Sequence, residues 1–118
     1  MVVAEYEVYQ NERKYKVVKH DNRTEYFNEA GQLHREDGPA IESESFSAYY
    51  QFGLRHRPEN EGPAFQCEGL EEYWHFGKLH RTTGPAHYCV DKDKEFKQYW
   101  IKGMEYSESD FLNISHQK

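Results

Sequence analysis

The chain is short of what a deep core is built from. Only 36% of its 118 residues are hydrophobic and the mean hydropathy is −1.11, which excludes an interior packed with Leu, Ile and Val. No stretch approaches the roughly 18 consecutive apolar residues of a membrane-spanning helix, so no membrane partner is expected. Two cysteines, Cys67 and Cys89, are too few for a disulfide scaffold. Basic residues are outnumbered, 15 Lys and Arg against 21 Asp and Glu, for a net charge of −6. A general nucleic-acid binder would carry a basic stripe instead. The opening residues MVVAEYEVYQ lack a basic segment followed by an apolar run, so the expectation is a cytoplasmic protein with no secretory signal. G-x-S-x-G, a phosphate-binding glycine loop and His-Glu-x-x-His are all missing, so no enzyme, catalytic residue, cofactor or metal is expected.

Aromatic residues are what the chain has in quantity: 10 Tyr, 7 Phe and 2 Trp, or 16% of the sequence. Disordered chains are poor in aromatics, so a folded single domain is expected despite the low hydropathy.

The domain is built on an internal repeat. GQLHREDGPA (Gly31 to Ala40), GLRHRPENEGPA (Gly53 to Ala64) and GKLHRTTGPA (Gly77 to Ala86) share G-x-x-H-R, a spacer and G-P-A. The second spacer is two residues longer than the others. An aromatic pair precedes each copy: Tyr26-Phe27, Tyr49-Tyr50 and Tyr73-Trp74. A fourth, degraded copy follows Tyr99-Trp100 at Gly103, without His-Arg or Gly-Pro-Ala. Aromatics favour strands, glycine suits tight hairpin turns, and Gly-Pro bends or ends a strand. The fold expected is therefore all-β, an antiparallel hairpin array with roughly two long strands per repeat. Residues 1–25 read as an N-terminal hairpin and 26–106 as the hairpin repeats. Residues 107–118 read as a short capping helix and tail, with Ser107 opening a capping-box spacing to Asp110.

Successive strand residues face opposite sides. Phe27, Tyr50, Trp74 and Trp100 are then expected on the buried side, and Tyr26, Tyr49, Tyr73 and Tyr99 on an open, partner-binding side, where a ring with a wet hydroxyl is at home. His34, His56 and His80 sit one per repeat, roughly 10 Å apart across two strand spacings, too far to share one metal ion. With Trp74 and Trp100 they are expected to be structural. Arg35, Arg57 and Arg81 either brace their own Gly-Pro corner or offer bidentate donors to an anion. Cys67 and Cys89 are repeat equivalents at the same separation and are expected to be free thiols.

The aromatic pair, the turn glycine and the strand after it resemble MORN-type hairpin repeats. The H-R-x-x-G-P-A form is similar to the variant found in small proteins of tailed phages and giant viruses. The resemblance covers residues 26 to about 112 and implies a β-hairpin array in a scaffold or binding role, with no catalytic residues to carry over. It implies a viral, non-enzymatic protein that binds and inhibits a host protein, a defence component being one candidate. The alternatives are a protein that sequesters a nucleotide or small anion, and a self-associating structural component of a larger assembly.

Overall fold

A computed structural model describes residues 1–115; residues 116–118 of the expected tail lie outside the described residues. Strand β1 (Val2–Gln10) turns through Asn11 and Glu12 into β2 (Arg13–His20). Both turn residues have positive φ, 50° and 65°, as a two-residue type I′ hairpin requires. There follow β3 (Arg23–Phe27), β4 (Ile41–Ser43), β5 (Phe46–Ala48), β6 (Tyr50–Gln51), β7 (Leu54–Arg55), β8 (Phe65–Cys67) and β9 (Leu70–Glu72). The chain continues with β10 (Trp74–His75), β11 (Lys78–Leu79), β12 (His87–Asp91), β13 (Lys94–Ile101) and β14 (Met104–Tyr106), then the helix α1 (Glu108–Ser115). The protein is all-β with a short C-terminal helix. Ten strands form one antiparallel sheet in the order β1-β2-β3-β4-β5-β8-β9-β12-β13-β14, while β6-β7 and β10-β11 are separate short hairpins. The body is a slab of 49 × 34 × 18 Å.

The expectation of two long strands per repeat is corrected. In the two central repeats the strand breaks at Tyr49 and Tyr73. The Tyr49 N–H donates to the Ala64 carbonyl (2.7 Å) and its own carbonyl accepts from the His56 N–H (3.0 Å); Tyr73 does the same with Ala86 and His80. The backbone thus leaves the main ladder, and each repeat acquires a short hairpin beside its wide one. β3 and β13 run unbroken through Tyr26 and Tyr99, although Tyr26 makes the same two bonds, with Ala40 and His34. Neighbouring short hairpins are joined by the same two bonds each time. Gly53 N–H reaches the Leu33 carbonyl and Arg35 N–H the Tyr50 carbonyl; Gly77 with Arg55, and Arg57 with Trp74, repeat the pattern, as do Gly103 with Leu79 and Arg81 with Trp100.

Burial does not divide the two aromatic columns as expected: Tyr73 is buried, while Tyr26, Tyr49, Tyr99, Phe27, Tyr50, Trp74 and Trp100 are all half-buried. At the breaks Tyr49 and Tyr73 donate to Ala64 and Ala86 of the Gly-Pro-Ala corner, and Tyr26 donates to Ala40 from within β3; all three alanines are completely buried. Tyr26, Tyr49 and Tyr73 each carry a guanidinium over the ring, and Tyr99 has the ring of Phe111 beside it. At the C-terminal end, Ser107 Oγ accepts the Asp110 N–H (3.2 Å), and buried Phe111 lays its ring 4.7 Å from that of Tyr99. Cys67 and Cys89 both pair with Leu70 from opposite sides, which puts them two strands apart, and both are free.

Tyr73→Ala is expected to lower stability by about 3–5 kcal/mol, as large core truncations do. Trp74→Ala, at a half-exposed position, should lower it by distinctly less in urea denaturation. The reverse order would return the Tyr column to the outside.

Candidate functional site

The signature residues assemble into a rung that is built the same way three times. The guanidinium carbons of Arg35, Arg57 and Arg81 lie 3.9, 4.0 and 3.9 Å from the ring centroids of Tyr26, Tyr49 and Tyr73. In each, Nη1 donates to the carbonyl of the proline in the same repeat, Pro39, Pro63 or Pro85, at 3.1–3.2 Å. The other side of the guanidinium rests on the glycine. A Cβ on Gly62, whose φ is +134°, would stand 2.6 Å from Arg57 Nη1. Arg fits because it is planar, permanently charged and weakly hydrated, so it can stack and donate at once. The contacts expected of a brace are made in all three repeats; Arg81 Nε also reaches the Thr83 hydroxyl (3.3 Å), while Nε of Arg35 and Arg57 is buried without a partner. In the fourth repeat, which has no His-Arg, Phe111 of α1 takes the place over Tyr99.

The histidines link one repeat to the next. Nδ1 of His34, His56 and His80 accepts the backbone N–H of Phe52, Phe76 and Lys102 at 2.9, 3.1 and 2.9 Å. Each donor is the first residue of the following hairpin turn and has positive φ, 51°, 42° and 52°. An acceptor nitrogen carries no proton, so the rung needs the neutral imidazole. Burial lowers the pKa of all three. Glu36 opposes the shift at His34, Glu61 at His56 and Glu59 at His80, while Arg13, His75 and Lys102 respectively reinforce it, with His75 also acting on His80.

The insertion in the second repeat has a structural use. Its Glu59 accepts bonds from the Thr82 N–H, the Thr82 hydroxyl and the Thr83 hydroxyl of the next spacer, at 2.8–3.2 Å. Burial alone would push this carboxyl up, but the Thr82 and Thr83 bonds outweigh it and hold the pKa below the usual range.

With the signature occupied in this way, the accessible apolar chemistry lies at and beside the turns of the short hairpins. Phe52, Leu54 and Phe76 are 57%, 47% and 45% exposed, and Met104 further along is 64% exposed. Leu54 packs against Gly77, its Cδ2 lying 3.3 Å from where a Cβ would stand, which brings it beside the Phe76 turn; Phe52, at the turn of Leu54's own hairpin, completes a row along successive hairpins. A bulky residue at positive φ is uncommon and strained. Phe76 is partly compensated by stacking on His56 (3.8 Å, 12°) and Phe52 by a tilted contact with His34 (4.6 Å). Beside the row, Arg55 stands where the other repeats have Leu33 and Leu79. Its guanidinium lies among Tyr50, Phe65 and Trp74 at 4.9–5.5 Å and close to Glu72, which also accepts from Trp74 Nε1 (3.1 Å) and pairs with His87 Nδ1 (2.8 Å). Between Trp74 and Trp100 runs an open groove of about 410 Å³ that includes Lys78, Leu79 and Lys102. Sequence reasoning passed over Phe52, Leu54, Phe76, Arg55 and Glu72. The signal available was a bulky side chain just before the turn glycine at Phe52 and Phe76, Leu54 where the neighbouring copies have Gln32 and Lys78, and Arg55 in place of Leu; Glu72 repeats Glu25 and gave no such signal.

Among the described residues no group of three or more His, Cys, Asp or Glu could hold a metal ion, and no helix is long and apolar enough to cross a membrane. No protein-family model, curated protein or solved structure matches the chain.

Two outcomes follow from the rung. The unfolded chain takes up protons near the ordinary histidine value of about 6.5, while the fold resists doing so. The histidine contribution is therefore complete above that pH and is lost as pH falls through the lowered folded values; Glu59, and Glu25 beside His20 and Arg23, add loss of the same sign at lower pH. Melting temperature should fall between about pH 7 and pH 5, and His56→Asn, which keeps an acceptor without a titrating proton, should flatten the slope. Arg81→Lys keeps the charge but not the planar stack, and is expected to lose about 1–2 kcal/mol in the same denaturation assay.

Proposed function

We propose that the chain is a non-enzymatic binding module that docks a protein partner on the turns of its short hairpins. The observation that carries this reading is the exposed row of Phe52, Leu54 and Phe76, two of them held in strained turns. Contiguous exposed apolar side chains with a polar surround mark interaction surfaces. Gln32, which lies against Gly53, and Lys78, which lies against Gly103, continue the row as its polar ends. A net charge of −6 favours a partner whose surface is basic around an apolar centre. The resemblance to viral H-R-x-x-G-P-A repeats supports a partner in a host cell, with inhibition of a defence protein as the role.

The groove between Trp74 and Trp100 supports a second reading, sequestration of a nucleotide or similar planar anion. Indole faces stack on bases, and Lys78 and Lys102 supply cations for phosphate.

Phe52→Asn combined with Phe76→Asn removes the rings and keeps residues that tolerate positive φ. The double variant is expected to stay folded and to lose a partner that the tagged parent captures from host lysate, whereas Trp100→Ala should leave capture intact. A thermal upshift with millimolar ATP that Trp100→Ala abolishes, with no protein captured by the parent, would replace the first reading with the second.

A further inference from the structure

The two ends of the main sheet are finished differently. α1 packs against the last repeat through Phe111, whereas among the described residues nothing pairs with the outer side of β1. The turn at Asn11-Glu12 makes Gln10 and Arg13 a hydrogen-bonded pair. Hydrogen-bonded and non-hydrogen-bonded pairs alternate along an antiparallel ladder. Val8–Tyr15 and Tyr6–Val17 are then bonded, and the N–H and C=O groups of Glu5, Glu7 and Tyr9 point away from the sheet. Glu5, Glu7 and Tyr9 share one face of β1, and Ala4, Tyr6 and Val8 share the other. Val3 (63%), Tyr6 (42%) and Tyr9 (74%) are all exposed.

We infer that β1 is an acceptor edge for strand addition. The occupant is an extended segment of a protein partner, with Lys or Arg at alternate positions and apolar residues between them. Three observations choose it. Unpaired ladder groups are satisfied by another strand. Glu5 and Glu7 already pair with Lys16 (3.8 Å) and Lys14 (3.1 Å) of β2 on their inner side, so cations on the incoming strand would complete a plus–minus–plus ladder. A second copy of this chain is disfavoured. Outward residues must face outward residues, and every two-fold antiparallel register that overlaps them well sets Glu7 against Glu7, Glu5 against Glu5, or Glu5 against Glu7. The apolar residues of the incoming strand would meet Tyr6 and Val8. This edge is separate from the Phe52–Leu54–Phe76 row, and the inference does not depend on that row binding anything.

The test uses the whole chain and a fluorescent, end-blocked peptide of alternating Lys and Val, read by anisotropy. Binding should be at least about tenfold tighter than for a Lys/Val peptide of the same composition in two blocks, or for alternating Glu and Val. Glu7→Pro removes an N–H that faces outward, where an edge strand tolerates proline, and should abolish binding with melting nearly unchanged. Glu5→Lys combined with Glu7→Lys should reverse the preference to the Glu/Val peptide, which keeps the inference testable if the proline variant fails to fold. Phe52→Asn with Phe76→Asn should bind the alternating peptide like the parent. The inference is overturned if the alternating and blocked peptides bind alike, if folded Glu7→Pro still binds, or if the charge reversal leaves the preference unchanged. A free chain that elutes as a dimer, and becomes a monomer in Glu7→Pro, would overturn it as well by showing that a second copy closes the edge.

Discussion

A guanidinium held between a tyrosine ring and a Gly-Pro corner is the contact on which the rest of this small protein depends. The chain has too few aliphatic side chains to drive folding by bulk burial. It compensates by making a few contacts specific and repeating them. Arg is placed over Tyr at van der Waals distance and donates to a carbonyl that would otherwise be left unpaired in a covered corner. Ala is the third member because the ring needs the space. Gly is the fourth because the guanidinium needs the surface of the backbone. Each residue type in H-R-x-x-G-P-A is thereby accounted for by one contact, except His, whose contact is with the next repeat.

That exception makes the array cooperative. Arg and Tyr act inside a repeat; His Nδ1 and the paired backbone bonds at Gly53, Gly77 and Gly103 act between repeats. A structure of this kind behaves as a line of units with nearest-neighbour coupling. Its ends need separate solutions, because a terminal unit lacks one neighbour. The C-terminal solution substitutes an aromatic ring from a helix for the missing guanidinium. At the other end Tyr15, buried on β2, stacks at 6.2 Å on His34 and accepts the Glu36 N–H through its hydroxyl, so the first rung is covered by a strand instead of a repeat.

The architecture was legible in the sequence because glycine, proline and paired aromatics announce turns and strands, and because repetition removes ambiguity. The Asn11-Glu12 turn, the Ser107 cap and the separation of Cys67 from Cys89 all follow from local rules. The sidedness of the aromatic pair did not, for a physical reason. Alternation along a strand holds only while the ladder continues, and in the central repeats it stops at Tyr49 and Tyr73, which have no partner strand like the β2 that pairs with Tyr26. Period-two reasoning across that break sends Tyr73 out and Trp74 in. The strand break could be read from Gly-Pro, but the residue at which it acts lies more than ten positions upstream, beyond the reach of a local rule.

A repeat that consumes its own signature also changes where function should be sought. Residues shared by all copies are committed to rungs, and any of them recruited to a partner would have to leave a contact the fold needs. The residues available for recognition are those in which the copies differ from one another or that lie outside the signature. Arg55 for Leu, Phe52 and Phe76 at turn positions that favour Asn or Gly, and the Glu5 and Glu7 pair on a strand outside the signature are departures of that kind. Glu59 shows that a departure can also be structural, since its four bonds tie the longer spacer to Thr82 and Thr83. The distinction is whether the neighbouring groups are already satisfied. Glu59 has its donors within the chain, whereas the outward backbone of β1 and the rings of Phe52 and Phe76 keep surface that the fold itself does not use.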